Sequence, residues 1–117
     1  MYITKNFTLQ EFQSKDGAPT PQDALANLKL LAANLQVLRD TLNKPIRVTS
    51  GYRSPSHNAK VGGVKNSFHL KGMAADIQVA GMTPTEVGMN IVKLWNEGKM
   101  KRGWIKIYPN FVHYDIR

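Results

Sequence analysis

Between Leu28 and Leu42 the apolar positions Leu28, Leu31, Leu35, Leu38 and Leu42 recur every three or four residues. That spacing lines one face of an α-helix and predicts a long helix whose stripe faces the core. The helix starts near Pro21, where a first-turn proline is tolerated, and Pro45 ends it. A second stripe, Val87, Ile91, Leu94 and Trp95, predicts a helix that opens at Pro84 and closes near Gly98. Elsewhere the period drops to two. Met73–Val79 reads as a strand with Ala75, Ile77 and Val79 on one face and Ala74, Asp76 and Gln78 on the other. Ile46–Thr49 is a short strand by its β-branched residues. Two more, about Trp104–Tyr108 and Phe111–Ile116, are joined by a tight turn at Pro109-Asn110. Phe7–Phe12 reads as a short helix capped by Thr8, with Glu11 three residues on. Ser14–Thr20 and Ser50–Ser67 carry glycine and proline and read as loop, the second holding a helical turn. The order predicts an α+β fold, a small antiparallel sheet covered by helices on one side.

Composition narrows the classes. The 117 residues make one domain, 1–117, large enough to hold a core without staples. There is no cysteine, so disulfide frameworks and thiolate zinc knots are excluded. No apolar run reaches the roughly 20 residues that a membrane span needs. The opening Met1–Phe7 is too polar for a secretory signal, so export is expected to use another route. Sixteen Lys and Arg against eight Asp and Glu give a net charge of +8, a surface drawn to polyanions. Those charges are scattered, without a basic block or interleaved aromatics, so a dedicated nucleic-acid reader is not expected.

Two of the three histidines lie beside carboxylates. His69 precedes Asp76 in Ser67-Phe68-His69-Leu70-Lys71-Gly72-Met73-Ala74-Ala75-Asp76, and the chain closes on His113-Tyr114-Asp115-Ile116-Arg117. Two imidazoles and a carboxylate form a ligand set suited to hydrolytic zinc with one position left open. His113 and Asp115, two apart on a strand, share a face. If the strands neighbour one another, His69, Asp76 and His113 can converge on one zinc ion per chain. Asp115 would then stand near the open position as general base, and Arg53 would offset a developing oxyanion. The same residues admit plainer roles: His113 and Asp115 as a simple hydrogen-bonded pair, Arg53 as a loop anchor, Ser67 as a turn cap. His57, with no partner in the pattern, reads as a surface residue.

The motifs together resemble a known family. Ser50-Gly51-Tyr52-Arg53-Ser54-Pro55, Asn58, Val61-Gly62-Gly63, then Ser67-x-His69-x-x-Gly72-x-Ala74-Ala75-Asp76 are similar to the zinc D-Ala-D-Ala carboxypeptidases, peptidase family M15. The ending Tyr108-Pro109-Asn110-Phe111-Val112-His113-Tyr114-Asp115 and the opening Phe7–Phe12 resemble its small, phage- or prophage-associated branch. The resemblance implies the fold shared with Hedgehog signalling domains, a zinc ion, and cleavage of peptide bonds in the peptidoglycan stem. By motif position it makes His69, Asp76 and His113 the zinc ligands, Arg53 a substrate or oxyanion contact, and Ser67 a minor site residue. Many relatives carry a glutamate a few residues before the last ligand, or His-x-His, where this chain has Asn110 and His113-x-Asp115. Two assignments therefore stay open: His113 as ligand with Asp115 as base, or the reverse. The expected protein is a monomeric hydrolase of stem peptides, acting at the cell wall and made without a signal peptide, as a phage lysin would be. The rival expectation is a peptidoglycan- or protein-binding module on the same fold.

Overall fold

The computed structural model describes the whole chain, Met1–Arg117. After a short 3-10 turn at Leu9–Phe12 comes α1, Gln22–Leu42, then β1, Ile46–Ser50. The middle holds α2 (Pro55–Lys60), a 3-10 turn at Phe68–Lys71, and β2 (Ala74–Val79). The chain finishes with α3 (Pro84–Asn96), β3 (Trp104–Ile107) and β4 (Val112–Asp115). The four strands form one sheet in the order β1-β2-β4-β3, with every neighbouring pair antiparallel.

Each element ends where its residues require. Pro21 sits at the N-cap of α1, and Asn43 closes the helix in the left-handed region at φ 49°. Asn43 tolerates that conformation better than most residues. Thr83 and Glu86 form a reciprocal capping box on α3, with Pro84 in its first turn. Thr8 and Glu11 form a capping box too, but it closes only a single 3-10 turn.

The two helical stripes face the core along all but their last residues. Leu28, Leu31, Leu35 and Leu38 are fully buried, as are Val87 and Ile91. Leu42 and Trp95 only pack against the core margin. Ala75, Ile77 and Val79 of β2 join Val112 and Tyr114 of β4 in the same core. One sheet face is thereby covered by α1 and α3. The last two strands are shorter than the expected Trp104–Tyr108 and Phe111–Ile116. Tyr108 and Phe111 close the hairpin turn instead, with the Tyr108 N–H donating to the Phe111 carbonyl at 2.9 Å.

The other sheet face carries the chemistry. Asp76 pairs with His113 across β2 and β4, and His113 pairs with Lys106 on β3. Residues directly opposite one another across a sheet project to the same side. A bulge between Val48 and Ser50 sets Ser50 against Asp76. This register gathers residues distant in sequence above one patch of sheet.

Candidate metal centre

Local structure aims His69 into this patch. Ser67 caps the Phe68–Lys71 turn by accepting from the His69 N–H at 3.1 Å, and Gly72 ends it at φ 70°. A side chain at Gly72 would lie 2.5 Å from the Ala24 carbonyl oxygen, so the turn seats closely on α1. The His69 ring is 3% exposed and its Nδ1 lies 2.7 Å from the Gly51 carbonyl oxygen. A carbonyl only accepts, so Nδ1 carries the proton and Nε2 is left with its lone pair. Gly51 can offer that carbonyl because it packs on Phe12, whose Cα would stand 2.7 Å from any Cβ there.

His69 Nε2 faces Asp76 Oδ1 at 3.2 Å, and His113 Nδ1 faces the same oxygen at 3.1 Å. On its far side, His113 Nε2 lies 2.8 Å from Asp115 Oδ2. A carboxylate there accepts a hydrogen bond from Nε2–H, which keeps the proton on Nε2 and leaves the Nδ1 lone pair pointing at Asp76. Three acceptors thus look at one another, with ligand atoms all within 4.8 Å. Such a cluster is repulsive unless protons or a cation lie among them. Neighbouring donors on tetrahedral zinc are roughly 3.3 Å apart, given bonds of about 2.0–2.2 Å. The donor set and its spacing fit zinc.

The charges around the cluster are paired. Arg53 donates to Asp76 Oδ2 at 3.2 Å, to Ser50 Oγ at 3.0 Å and to Asn58 Oδ1 at 3.3 Å. This leaves Asp76 Oδ1 directed at the imidazoles. With no metal bound, protons on the imidazoles relieve that repulsion: burial alone would raise the Asp76 carboxyl, but hydrogen bonds from protonated His113 and His69 outweigh it and hold the group at about 2. Burial would lower His113, yet hydrogen bonds to Asp115 and Asp76 raise it above its ordinary value.

Asp115 departs from expectation. The strand spacing puts it beside an open ligand position, whereas its side chain is fully buried and both oxygens are occupied. Arg117 donates to Oδ1 from Nε and to Oδ2 from Nη2, each at 2.8 Å. Burial would raise the Asp115 carboxyl, but the bonds from Arg117 and His113 bring it to about 2. The Arg117 guanidinium is itself stacked between Phe68 and Trp104, at 4.4 and 4.7 Å from the ring centres. Asp115 therefore reaches the cluster through His113.

A cleft of about 510 Å³ opens over these residues. Arg53, Ser67, His69, Asp76 and His113 line it, together with the Val61–Val64 loop and Trp104, Lys106 and Tyr108. His57 lies outside it, on α2. A second groove of about 430 Å³, near Pro45, Met82 and Phe111, contains no histidine or carboxylate.

A family model described as Peptidase M15 matches residues 2–115. The chain belongs to the M15 peptidase family. It is 37% identical over 89 residues to a protein of Haemophilus influenzae named probable peptidoglycan L,D-endopeptidase MepK, covering 70% of this chain and 45% of that one. It is also 37% identical over 78 residues to the zinc D-Ala-D-Ala carboxypeptidase of Streptomyces albus G, covering 62% of this chain and 31% of that one. A peptidoglycan L,D-endopeptidase MepK of Escherichia coli K12 is 33% identical over 79 residues, covering 62% and 40%. The chain thus spans less than half the length of each of these M15 relatives. No helix is long and apolar enough to cross a membrane.

Three features of this cleft and its surroundings carry no motif signal: the Gly51 carbonyl, the Arg117 clamp and the cation Lys106. The first is backbone and leaves no trace in residue type. The other two had a signal in alternation, since Arg117 continues the His113, Asp115 spacing and Lys106 falls between Trp104 and Tyr108.

Proposed function

We propose that this M15 domain is a zinc-dependent hydrolase of peptidoglycan peptides, acting as a D-Ala-D-Ala carboxypeptidase or a stem-peptide endopeptidase. The observation that carries the reading is the meeting of His69 Nε2, Asp76 Oδ1 and His113 Nδ1 under an open cleft. These three atoms would hold the zinc. When bound in such a site, zinc supplies an activated water near neutral pH and polarises a substrate carbonyl.

The protein's own residues prepare that chemistry. The Gly51 carbonyl fixes the His69 tautomer, and Asp115 fixes that of His113. Arg53 restrains Asp76 through its outer oxygen and keeps a polar N–H edge in the cleft, where a substrate carbonyl oxygen or oxyanion can meet it. Ser67 acts through the His69 backbone. Asp115 takes part in proton handling through His113, and direct contact with solvent requires Arg117 to release it.

The second reading, a peptidoglycan- or protein-binding module, is favoured by one observation. Asp76 is the only carboxylate lining the cleft and it belongs to the ligand set, so no unengaged base faces a substrate there. Metal analysis followed by incubation of the zinc-loaded protein with muropeptides separates the two readings. Released D-alanine or cut stems, lost on chelation and on His69→Ala, are expected of the hydrolase. Bound zinc and bound muropeptide without product would establish the module instead.

A further inference from the structure

Three cationic side chains line the cleft: Arg53, Lys106 and Arg117. Two are neutralised in place, Arg53 by Asp76 and Arg117 by Asp115. Lys106 takes part in no ion pair. Its ammonium rests 5.1 Å from the ring centre of Tyr108, and that ring is stacked on Phe111 at 4.4 Å and 12°. The lysine is therefore held over a braced aromatic surface rather than over a carboxylate. Its backbone pairs with His113 across β3 and β4, so its stem rises beside a metal ligand on the same sheet face. An uncompensated cation there, with no free carboxylate in the cleft to attract it, is placed to receive a negative group from a ligand.

We propose that Lys106 binds a free carboxylate of the peptide substrate, within one or two residues of the bond that is cut. An extended residue spans roughly 3.3–3.6 Å, so a lysine stem beside His113 reaches that far and little further. The inference rests on the hydrolase reading for its substrate, but its first readout is binding. Lysine on an edge strand has another common use, which is to block strand pairing with a second chain. That role predicts self-association of a neutral variant and no dependence on the ligand's charge.

The test uses the zinc-loaded full chain with Lys106→Gln and Lys106→Arg. The probes are stem-type tetra- and pentapeptides in four forms: free acid, C-terminally amidated, side-chain amidated and doubly amidated. Binding is followed by tryptophan fluorescence, since Trp104 forms part of the cleft wall. Wild type is expected to prefer the free acid over the amide of the relevant carboxylate. Lys106→Gln should collapse that preference by about fivefold to tenfold, the worth of one partly exposed charged contact. Lys106→Arg should restore it, and the two singly amidated peptides tell a terminal from a side-chain carboxylate. Where turnover is seen, the change belongs in KM rather than kcat. An unchanged preference in Lys106→Gln, an equal loss for all four peptides, or no binding of any to wild type would overturn the proposal. Preserved discrimination without turnover would instead count against the hydrolase and leave the Lys106 contact standing.

Discussion

Removing Arg117 tests whether the buried Asp115 is held in place by its neighbour. An Asp115 carboxyl at about 2, against about 3.9 unperturbed, carries about 2.5 kcal/mol of folded-state stability at neutral pH. Arg117 and His113 share that stabilisation, and Arg117 makes two of the three side-chain bonds. Its stacking on Phe68 and Trp104 adds about 0.5 kcal/mol at a site this open. Against this, Arg117 is 42% exposed, so water replaces part of what is lost. Arg117→Ala should then cost about 2 kcal/mol and lower Tm by roughly 8 °C. Asp115→Asn should cost a similar amount, because His113 and Arg117 both lose their charged acceptor. The two act on one contact, so the double variant should fall short of the sum by about 1 kcal/mol or more. Thermal unfolding of all four proteins in excess chelator, at one pH, gives this cycle free of metal. Zinc affinity, measured by competition with a chromophoric chelator, should fall about tenfold or more in Asp115→Asn, as for other partners of a ligating histidine, and by less in Arg117→Ala, which acts through Asp115. Costs that add to within about 0.5 kcal/mol, with unchanged zinc affinity, would refute the clamp.

Metal-free stability should fall on both sides of a window of pH. Asp76, Asp115 and Asp16 sit at about 2 in the fold, below their unfolded value of about 3.9, so their contribution is complete above that value and lost as pH falls towards 2. His113 is shifted upwards, so its contribution is complete below about 6.5 and lost as pH rises through its folded value. Melting scans in chelator from acid to mild alkali check both limbs, and a flat profile below pH 4 contradicts the first. Added zinc needs the neutral imidazole, so its extra stabilisation should grow with pH over the same scans. Gly72→Ala should cost about 2 kcal/mol, through a positive φ and a methyl group against the Ala24 carbonyl. It should weaken zinc binding as well, because Gly72 closes the turn that carries His69. A wild-type melting curve for that variant would mean the turn is not under strain.

How much of this was legible in the sequence follows from the range of each interaction. Helix stripes, capping pairs and strand alternation are local, so α1, α3 and β2 could be read to within a residue or two. The His69, Asp76, His113 meeting is not local, but alternation puts Asp76 on the β2 face opposite Ala75, Ile77 and Val79 and His113 on one face with Asp115, and only the pairing of those strands had to be supplied. What could not be read was the direction in which Asp115 turns. A strand position sets the face of a side chain and says nothing of which neighbour captures it. Asp115 could have faced the open side of the cluster, and Arg117, two residues on, has the reach and the charge to take it first. Burial then favours that capture, because a carboxylate fully out of water needs both oxygens bonded. The same principle accounts for Lys106. Once Asp76 and Asp115 are each committed to an arginine, no anion remains in the cleft for the third cation, and its vacancy is a result of the pairing around it. The roles of both residues thus come from competition among charges for few partners, and that competition is settled only when the sheet brings them together.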